Sequence, residues 1–579
     1  MPRLEWIGKE AVVNHHERVP YRLLRCNPAR SVGEAGSGNL LVQGDNLEAL
    51  KALLPYYAAQ VKCIYIDPPY NTGNENWVYN DAVNSPEMRD WLGQVVGRDA
   101  EDLSRHDKWL CMMYPRLALL RQFLRRDGVI LISINDVELH HLRVILDELY
   151  GIQNLLATIV WEKGKKGDSH YFSGVHEYIV VVARDKAFLD AKETRWRKKK
   201  AGIDEVLEYY QTLCQQYGRD HERIRENIMK WYRTLPKGHL AKNHKHYKWS
   251  DDRGLYFAAD FSGPDDGRKS RPRYDIMHPI TGKPCKKPST GWRWEEERTK
   301  AALAEQPSRI HFGPDESTVP CRKSYLAEID EEPITTVFYK DGRAATLLIE
   351  QILGPGAFSF PKDVEILAEL IGTITENDDI ILDSFAGSGT TGHAVLKLNH
   401  TYNTNRRFIL VEMVEEICQN RTAKHLEKAI LGYEPINIKK SEDDEGSAVP
   451  GLGGGFRYCE LGPTLFDAEG KIREEVSFRE LAQHIYFTET GEPLPQGSRQ
   501  KLTPLLGVAK GVGVYLLYNG ILQDKSVDGG NVLTSKTLAL LPEHDGPKVI
   551  YGNACRLSPR RLKAEGITFR QTPYEIRTR

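Results

Sequence analysis

Apolar positions along this chain follow two periods. Short runs of consecutive apolar residues alternate with longer stretches in which apolar positions recur every three or four residues. Leu40 to Gln43 predicts a strand, and Asp45 to Leu54 predicts a helix, with Asp45 and Glu48 spaced as a capping box. A strand over Ile64 to Ile66 follows, ending at Asp67. Then come a helix around Trp109 to Arg125, a strand over Val129 to Ser133, a helix from Val137 to Tyr150, and strands at Thr158 to Trp161 and Glu177 to Ala183. The rhythm stops near residue 184 and resumes at Ile380 to Asp383 and Phe408 to Val411. Strands alternating with helices predict a doubly wound α/β sheet.

The interruption divides the chain. Residues 1–183 and 346–435 read as two halves of one α/β core, and 184–345 as an insertion. The insertion holds a charged helical stretch, Ile203 to Arg233, and then a loop-rich segment dense in Pro, Gly, Lys and aromatics. Acidic Ser441 to Glu445 and glycine-rich Gly451 to Gly455 predict a linker over 436–455. A small α+β segment, 456–579, follows.

Two strand ends carry candidate chemistry. The first is Asp67-Pro68-Pro69-Tyr70, a stiff turn, because each proline fixes φ and lacks a backbone donor. It presents a carboxylate, free carbonyls and one ring, which suit a flat base with an exocyclic amine. The second is Asp383-Ser-Phe385-Ala386-Gly387-Ser-Gly389-Thr390-Thr391-Gly392, a glycine-rich turn opening a helix. Such a turn lets a ligand approach the backbone at a helix N-terminus. Gly387, Gly389 and Gly392 also fit Gly-x-Gly-x-x-Gly, and Glu412 ends the next strand about 20 residues on, as in a dinucleotide-dependent oxidoreductase. The pattern of this turn leaves both readings open. The Pro-Pro turn decides against the second, since hydride transfer has no use for it. Gly392 reads as close helix–strand packing in either case.

Together the two turns resemble the amino-methylating DNA methyltransferases, with the catalytic motif preceding the cofactor motif as in their permuted β-type. Phe358 to Lys362, Gly291 to Trp294, Gly453 to Tyr458 and Ile567 to Tyr574 extend the resemblance to the modification (Mod) subunits of type III restriction systems. The resemblance implies a circularly permuted Rossmann-like sheet with an inserted target recognition domain. The chain would begin at the third strand of that sheet and add the first two after the insertion. Asp67, Pro68, Pro69 and Tyr70 would be catalytic. Asp383, Phe385, Ala386, Gly387, Gly389 and Thr390 would hold S-adenosyl-L-methionine, with Glu412 on its ribose. Lys362 would pair with the cofactor carboxylate or stand exposed. Asp45 would contact the cofactor adenine, cap a helix, or do both. The product would be N6-methyladenine in double-stranded DNA, made by a homodimer that serves a separate helicase–nuclease subunit. A catalytically inactive DNA-specificity subunit is the remaining alternative.

Composition narrows the setting. The chain has 579 residues, enough for several domains, and a net charge of −1, so any DNA footprint must be local. Arg195 to Lys200, Lys237 to Trp249, Arg268 to Tyr274 and Trp292 to Trp294 are basic or aromatic candidates for it. Nine scattered cysteines without a Cys-x-x-Cys pair argue for a reducing cytoplasm, against a disulfide framework and against a metal site. No apolar run approaches membrane-spanning length, and no phosphate-binding loop of the ATP-motor type is present.

Overall fold

Ten strands form one mixed sheet. In chain order they are β1 (Arg22–Gly33), β2 (Leu40–Gln43), β3 (Val61–Ile66), β4 (Leu124–Ile134), β5 (Leu155–Glu162), β6 (His176–Ala183), β7 (Val337–Tyr339), β8 (Ile380–Asp383), β9 (Arg407–Glu412) and β10 (Gly455–Thr464). Their order across the sheet is β1-β10-β2-β9-β8-β3-β4-β6-β5-β7. The computed structural model describes residues 4–34, 36–72, 93, 104–164, 171–265, 271–436, 448–495, 503–518, 520–524, 529–573 and 576. The acidic part of the expected linker, Arg268 and Tyr574 lie outside them.

The centre of the sheet is parallel and apolar. β10, β2, β9, β8, β3 and β4 run in one direction, and β6 runs against β4. Every residue of β3 and β8 is buried, as expected of parallel strands covered on both faces. Helices α1 (Asn46–Tyr57), α2 (Arg105–Phe123), α3 (Leu139–Tyr150), α4 (Val364–Ile374), α5 (Thr390–Tyr402) and α6 (Ala423–Leu431) belong to this part of the chain. α2 carries a long buried face, from Trp109 to Phe123, into the main core. The strand order fits a chain that starts at the third strand of a methyltransferase sheet and adds the first two, β8 and β9, after the insertion.

The chain divides into two compact units, residues 1–194 with 335–579, and residues 195–334. The second unit is narrower than the expected insertion. Its charged helical stretch is two helices, Ile203–Tyr217 and His221–Thr234, separated at Gly218 and restarted by the Asp220 side-chain cap. A four-stranded antiparallel sheet accompanies them. Trp292 is fully buried there against Phe261, and its indole N–H donates to the Tyr274 carbonyl at 2.9 Å. It belongs to that unit's core and does not reach toward bases. Lys198 and Lys199 pair as a short strand with Glu331 and Glu332.

Two expectations need correction. The boundary at 455/456 cuts through β10, which lies in the main sheet between β1 and β2. The rest of the C-terminal segment has its own four-stranded sheet, yet its core includes Tyr21 and Leu23 from the chain's beginning. The cysteines are not all free either. Cys26 on β1 lies opposite Cys459 on β10, with the sulfurs 2.09 Å apart. Partners 433 residues apart leave no local spacing to read.

Candidate active site

β3 delivers Asp67 at its carboxyl end, and the Pro-Pro turn is held from behind. The Trp109 indole N–H on α2 donates to the Pro69 carbonyl at 2.7 Å. Among the described residues nothing hydrogen-bonds the Pro68 carbonyl, which leaves it as an acceptor. The Tyr70 hydroxyl donates to Asp67 Oδ1 at 2.8 Å and lies 3.1 Å from Glu177 Oε2.

β8, the neighbour of β3, delivers Asp383 and the glycine turn. Asp383 Oδ1 accepts the Phe385 N–H at 2.9 Å, and Oδ2 accepts the Thr391 hydroxyl at 2.6 Å. The turn needs positive φ at Gly387 (51°) and Gly389 (85°). Glu412, at the end of β9, accepts the Gly387 N–H at 2.9 Å and the Val414 N–H at 3.0 Å. It shapes the turn and does not line the cleft.

The two strand ends open on one cleft. Of the candidate residues, Asp67, Lys362, Asp383, Phe385, Ala386, Gly387 and Thr390 line it, together with Phe358, Phe360 and Leu367. Asp45 does not. It caps α1 by accepting the Leu47 and Glu48 N–H groups, and it pairs with the fully buried Arg116 at 3.1 Å. Glu48 leaves the expected capping box unclosed and pairs with Arg22. Gly389 stands at the N-terminus of α5, where a Cβ would meet the Thr422 methyl at 3.2 Å. Side chains there meet protein, not cofactor space.

Lys362 is buried and belongs to a charged network. Its ammonium lies 3.0 Å from Asp67 Oδ1, 3.1 Å from Glu177 Oε2 and 2.8 Å from the Tyr70 hydroxyl, and 4.9 Å from the Tyr70 ring centroid. Lys163, at the end of β5, pairs with the other oxygen of Glu177. Burial pushes the Glu177 carboxyl up, but Lys362 and Lys163 outweigh it and hold its pKa at about 2. Burial and then Lys362 pull the Lys163 ammonium down to about 8, against Glu177. Burial lowers Lys362 too, but Asp67 and Glu177 together raise it, so it stays charged. Burial raises the Tyr70 hydroxyl well above its usual value, helped by Asp67 and Glu177. Among the described residues no cation pairs with Asp383. Burial lifts its carboxyl to about 7, and Thr391 and the Phe385 N–H only moderate that.

Glu177 and Lys163 escaped the sequence reading. A signal was available. Both are charged residues at ends of apolar strands, and the β5–β6 register brings those ends together. A second unread cluster ties down the chain just after Tyr70. Buried Glu138 accepts from His106 Nδ1 at 2.7 Å, His141 Nδ1 at 2.6 Å and the Asn71 side-chain amide. His106, Glu138 and His141 could also ligate a metal ion. With both carboxylate oxygens already accepting, the cluster is a satisfied hydrogen-bond knot.

Residues 61–424 match the N6/N4 methyltransferase family, described as DNA methylase. The type III EcoP15I Mod subunit of Escherichia coli is 31% identical over 505 residues, which covers 84% of this chain and 74% of that one. The EcoPI Mod subunit of Escherichia phage P1 is 30% identical over 530 residues, with the same coverage of each. The type II methyltransferase M.KpnI of Klebsiella pneumoniae is 28% identical over 66% of this chain and 82% of its own. Among solved structures, the cytosine-N4-specific PvuII DNA methyltransferase aligns with 71% of this chain and 93% of its own, at 12% identity and a TM-score of 0.30. The family match spans both turns, Asp67 to Tyr70 and Asp383 to Gly392, so the chain belongs to the DNA methylase family and, within it, to the type III modification subunits.

Proposed function

We propose that this chain transfers a methyl group from S-adenosyl-L-methionine to the N6 amine of an adenine flipped out of duplex DNA, as the modification and specificity subunit of a type III system. The observation that carries this reading is that Asp67 and Asp383, at the ends of adjacent parallel strands, line one cleft. The cleft's residues fit the cofactor. Asp383 is a buried carboxyl awaiting a cation, which the methionyl ammonium supplies. The Phe358, Phe360 and Leu367 side chains offer it an apolar wall.

Bound, the cofactor supplies an electrophilic methyl on a sulfonium. This chain's residues do the rest by positioning and electrostatics. The adenine amine is a poor nucleophile because its lone pair delocalises into the ring. Asp67 and the Pro68 carbonyl accept its hydrogens and hold the nitrogen in a geometry that localises the pair. Tyr70 offers a face for the base once Lys362 moves off it. Extrusion of the base from the duplex costs a few kcal/mol. Asp at the first position of the turn, where Ser is more usual for cytosine N4, favours adenine. The 195–334 unit reads the target. Dimerisation, a helicase–nuclease partner and a cytoplasmic location follow from the same reading, and among the described residues no helix is long and apolar enough to cross a membrane.

The test is direct. Purified protein, labelled S-adenosylmethionine and duplex DNA should yield N6-methyladenine on nucleoside digestion, without ATP. Asp67→Ala should lower the rate about a hundredfold or more while cofactor affinity holds. Methyl groups on cytosine, or undiminished turnover by Asp67→Ala, would overturn the assignment. No methylation by the parent chain would favour the inactive specificity subunit.

A further inference from the structure

The resting network around Lys362 is wrong for the reaction. As the amine attacks, positive charge develops on its nitrogen, and the sulfonium beside it is already cationic. Asp67 is the acceptor that must face both. Yet in the structure Asp67 Oδ1 is bonded to the Lys362 ammonium at 3.0 Å and to the Tyr70 hydroxyl at 2.8 Å. A third cation there opposes the charge the site has to stabilise. The same ammonium also lies against the ring on which the base would stack.

Lys362 has the means to leave. Its backbone is pinned. Asp363, the next residue, caps α4 through the Glu365 and Ile366 N–H groups and pairs with Lys340 at 2.7 Å. The Lys362 carbonyl accepts from Thr390 on the cofactor turn. The four-carbon stem has no polar group to hold it, and an ammonium is a compact charge that can exchange partners. The side chain lines the same cleft as Asp383, where an anionic group of a ligand would draw it. Glu177 stays behind with Lys163, which supplies its counter-charge.

We propose that Lys362 is a placeholder for the target amine on Asp67, and that the carboxylate of the bound cofactor draws its ammonium away and so frees Asp67 and the Tyr70 ring for the base. This rests on the methyl-transfer reading above. It makes Lys362 a positioning residue that couples cofactor occupancy to acceptance of the base. A lysine that only anchored the cofactor would affect binding and have no reason to sit on Asp67.

Decarboxylated S-adenosylmethionine keeps the sulfonium and methyl but lacks the carboxylate, so the comparison can be made in the unaltered protein. The wild type should use it with a saturating rate about tenfold or more below that with S-adenosylmethionine, beyond any rise in KM. Lys362→Met should then turn over the decarboxylated cofactor faster than wild type does, because the blocking ammonium is gone. Lys362→Gln, which keeps a neutral donor, should behave likewise. Equal saturating rates for the two cofactors in wild type would overturn the proposal. So would Lys362 variants that are folded, bind S-adenosylhomocysteine, and are no faster than wild type with the decarboxylated cofactor. Failure of wild type to methylate with S-adenosylmethionine itself would instead sink the functional reading.

Discussion

Asp383 is the residue whose chemistry depends most on the ligand. Its carboxyl is 2% exposed and its pKa stands at about 7 against an ordinary 3.8, mainly through burial. The fold therefore favours its neutral form. That contribution to stability is complete below pH 3.8 and is lost as pH rises through about 7, a range worth on the order of 4 kcal/mol. A cationic ligand beside it favours the ionised form. Cofactor affinity should rise by up to about tenfold per pH unit between pH 5.5 and 7 and then level off. Calorimetric titration across that range would measure it. Asp383→Asn should bind weakly with a flatter pH profile and melt higher at pH 8, and a parent affinity that did not change with pH would count against the coupling. Asp67, Asp383 and the glycines were legible because each follows an apolar strand within a few residues. Glu177 and Lys163 were not, because only cross-strand register joins them to Tyr70. The sequence leaves Asp45 as helix cap, adenine contact or both, and assigns Glu412 to the cofactor ribose. In the structure both carboxylates accept backbone N–H groups, a demand that sequence spacing does not separate from ligand binding.

At the scale of elements, the glycine turn and the helix it opens have different requirements. Gly389 is needed for its backbone angle. Gly392 is needed for space, because a Cβ there would come within 2.7 Å of Leu426 on α6 and 3.0 Å of Leu410 on β9. Gly392→Val should therefore cost about 1–3 kcal/mol of stability. A lowered denaturation midpoint would register this, and an unchanged midpoint would mean that α5 and α6 can part without penalty. The central strands were legible as apolar runs bounded by turns. β1 and β10 were not. Arg22 to Gly33 carries three arginines and Pro28, and its strand character comes from pairing with β10, whose partner residues lie at the other end of the chain. Helices Val364–Ile374 and Arg343–Leu353 went unread because they border the insertion, where the rhythm is hard to place.

For the molecule as a whole, the chain divides into two compact units, and the proposed function assigns target reading to residues 195–334. Replacing residues 195–334 with the corresponding segment of the EcoP15I subunit should move methylation to that relative's site, as sequencing of modified bases in DNA from expressing cells would show. An unchanged target would place recognition in the larger unit. The insertion has a consequence for synthesis as well. β3 ends at Ile66 and its partner β8 begins at Ile380, roughly 300 residues later in translation. At about 5–20 residues per second, a nascent chain holds the finished edge of β3 without its neighbour for roughly 15–60 s. That edge is apolar on both faces and open to the wrong strand throughout. Yield of active enzyme should thus depend on what shields a half-built sheet on the ribosome, because β8, which carries the Asp383 side of the site, emerges only after the insertion.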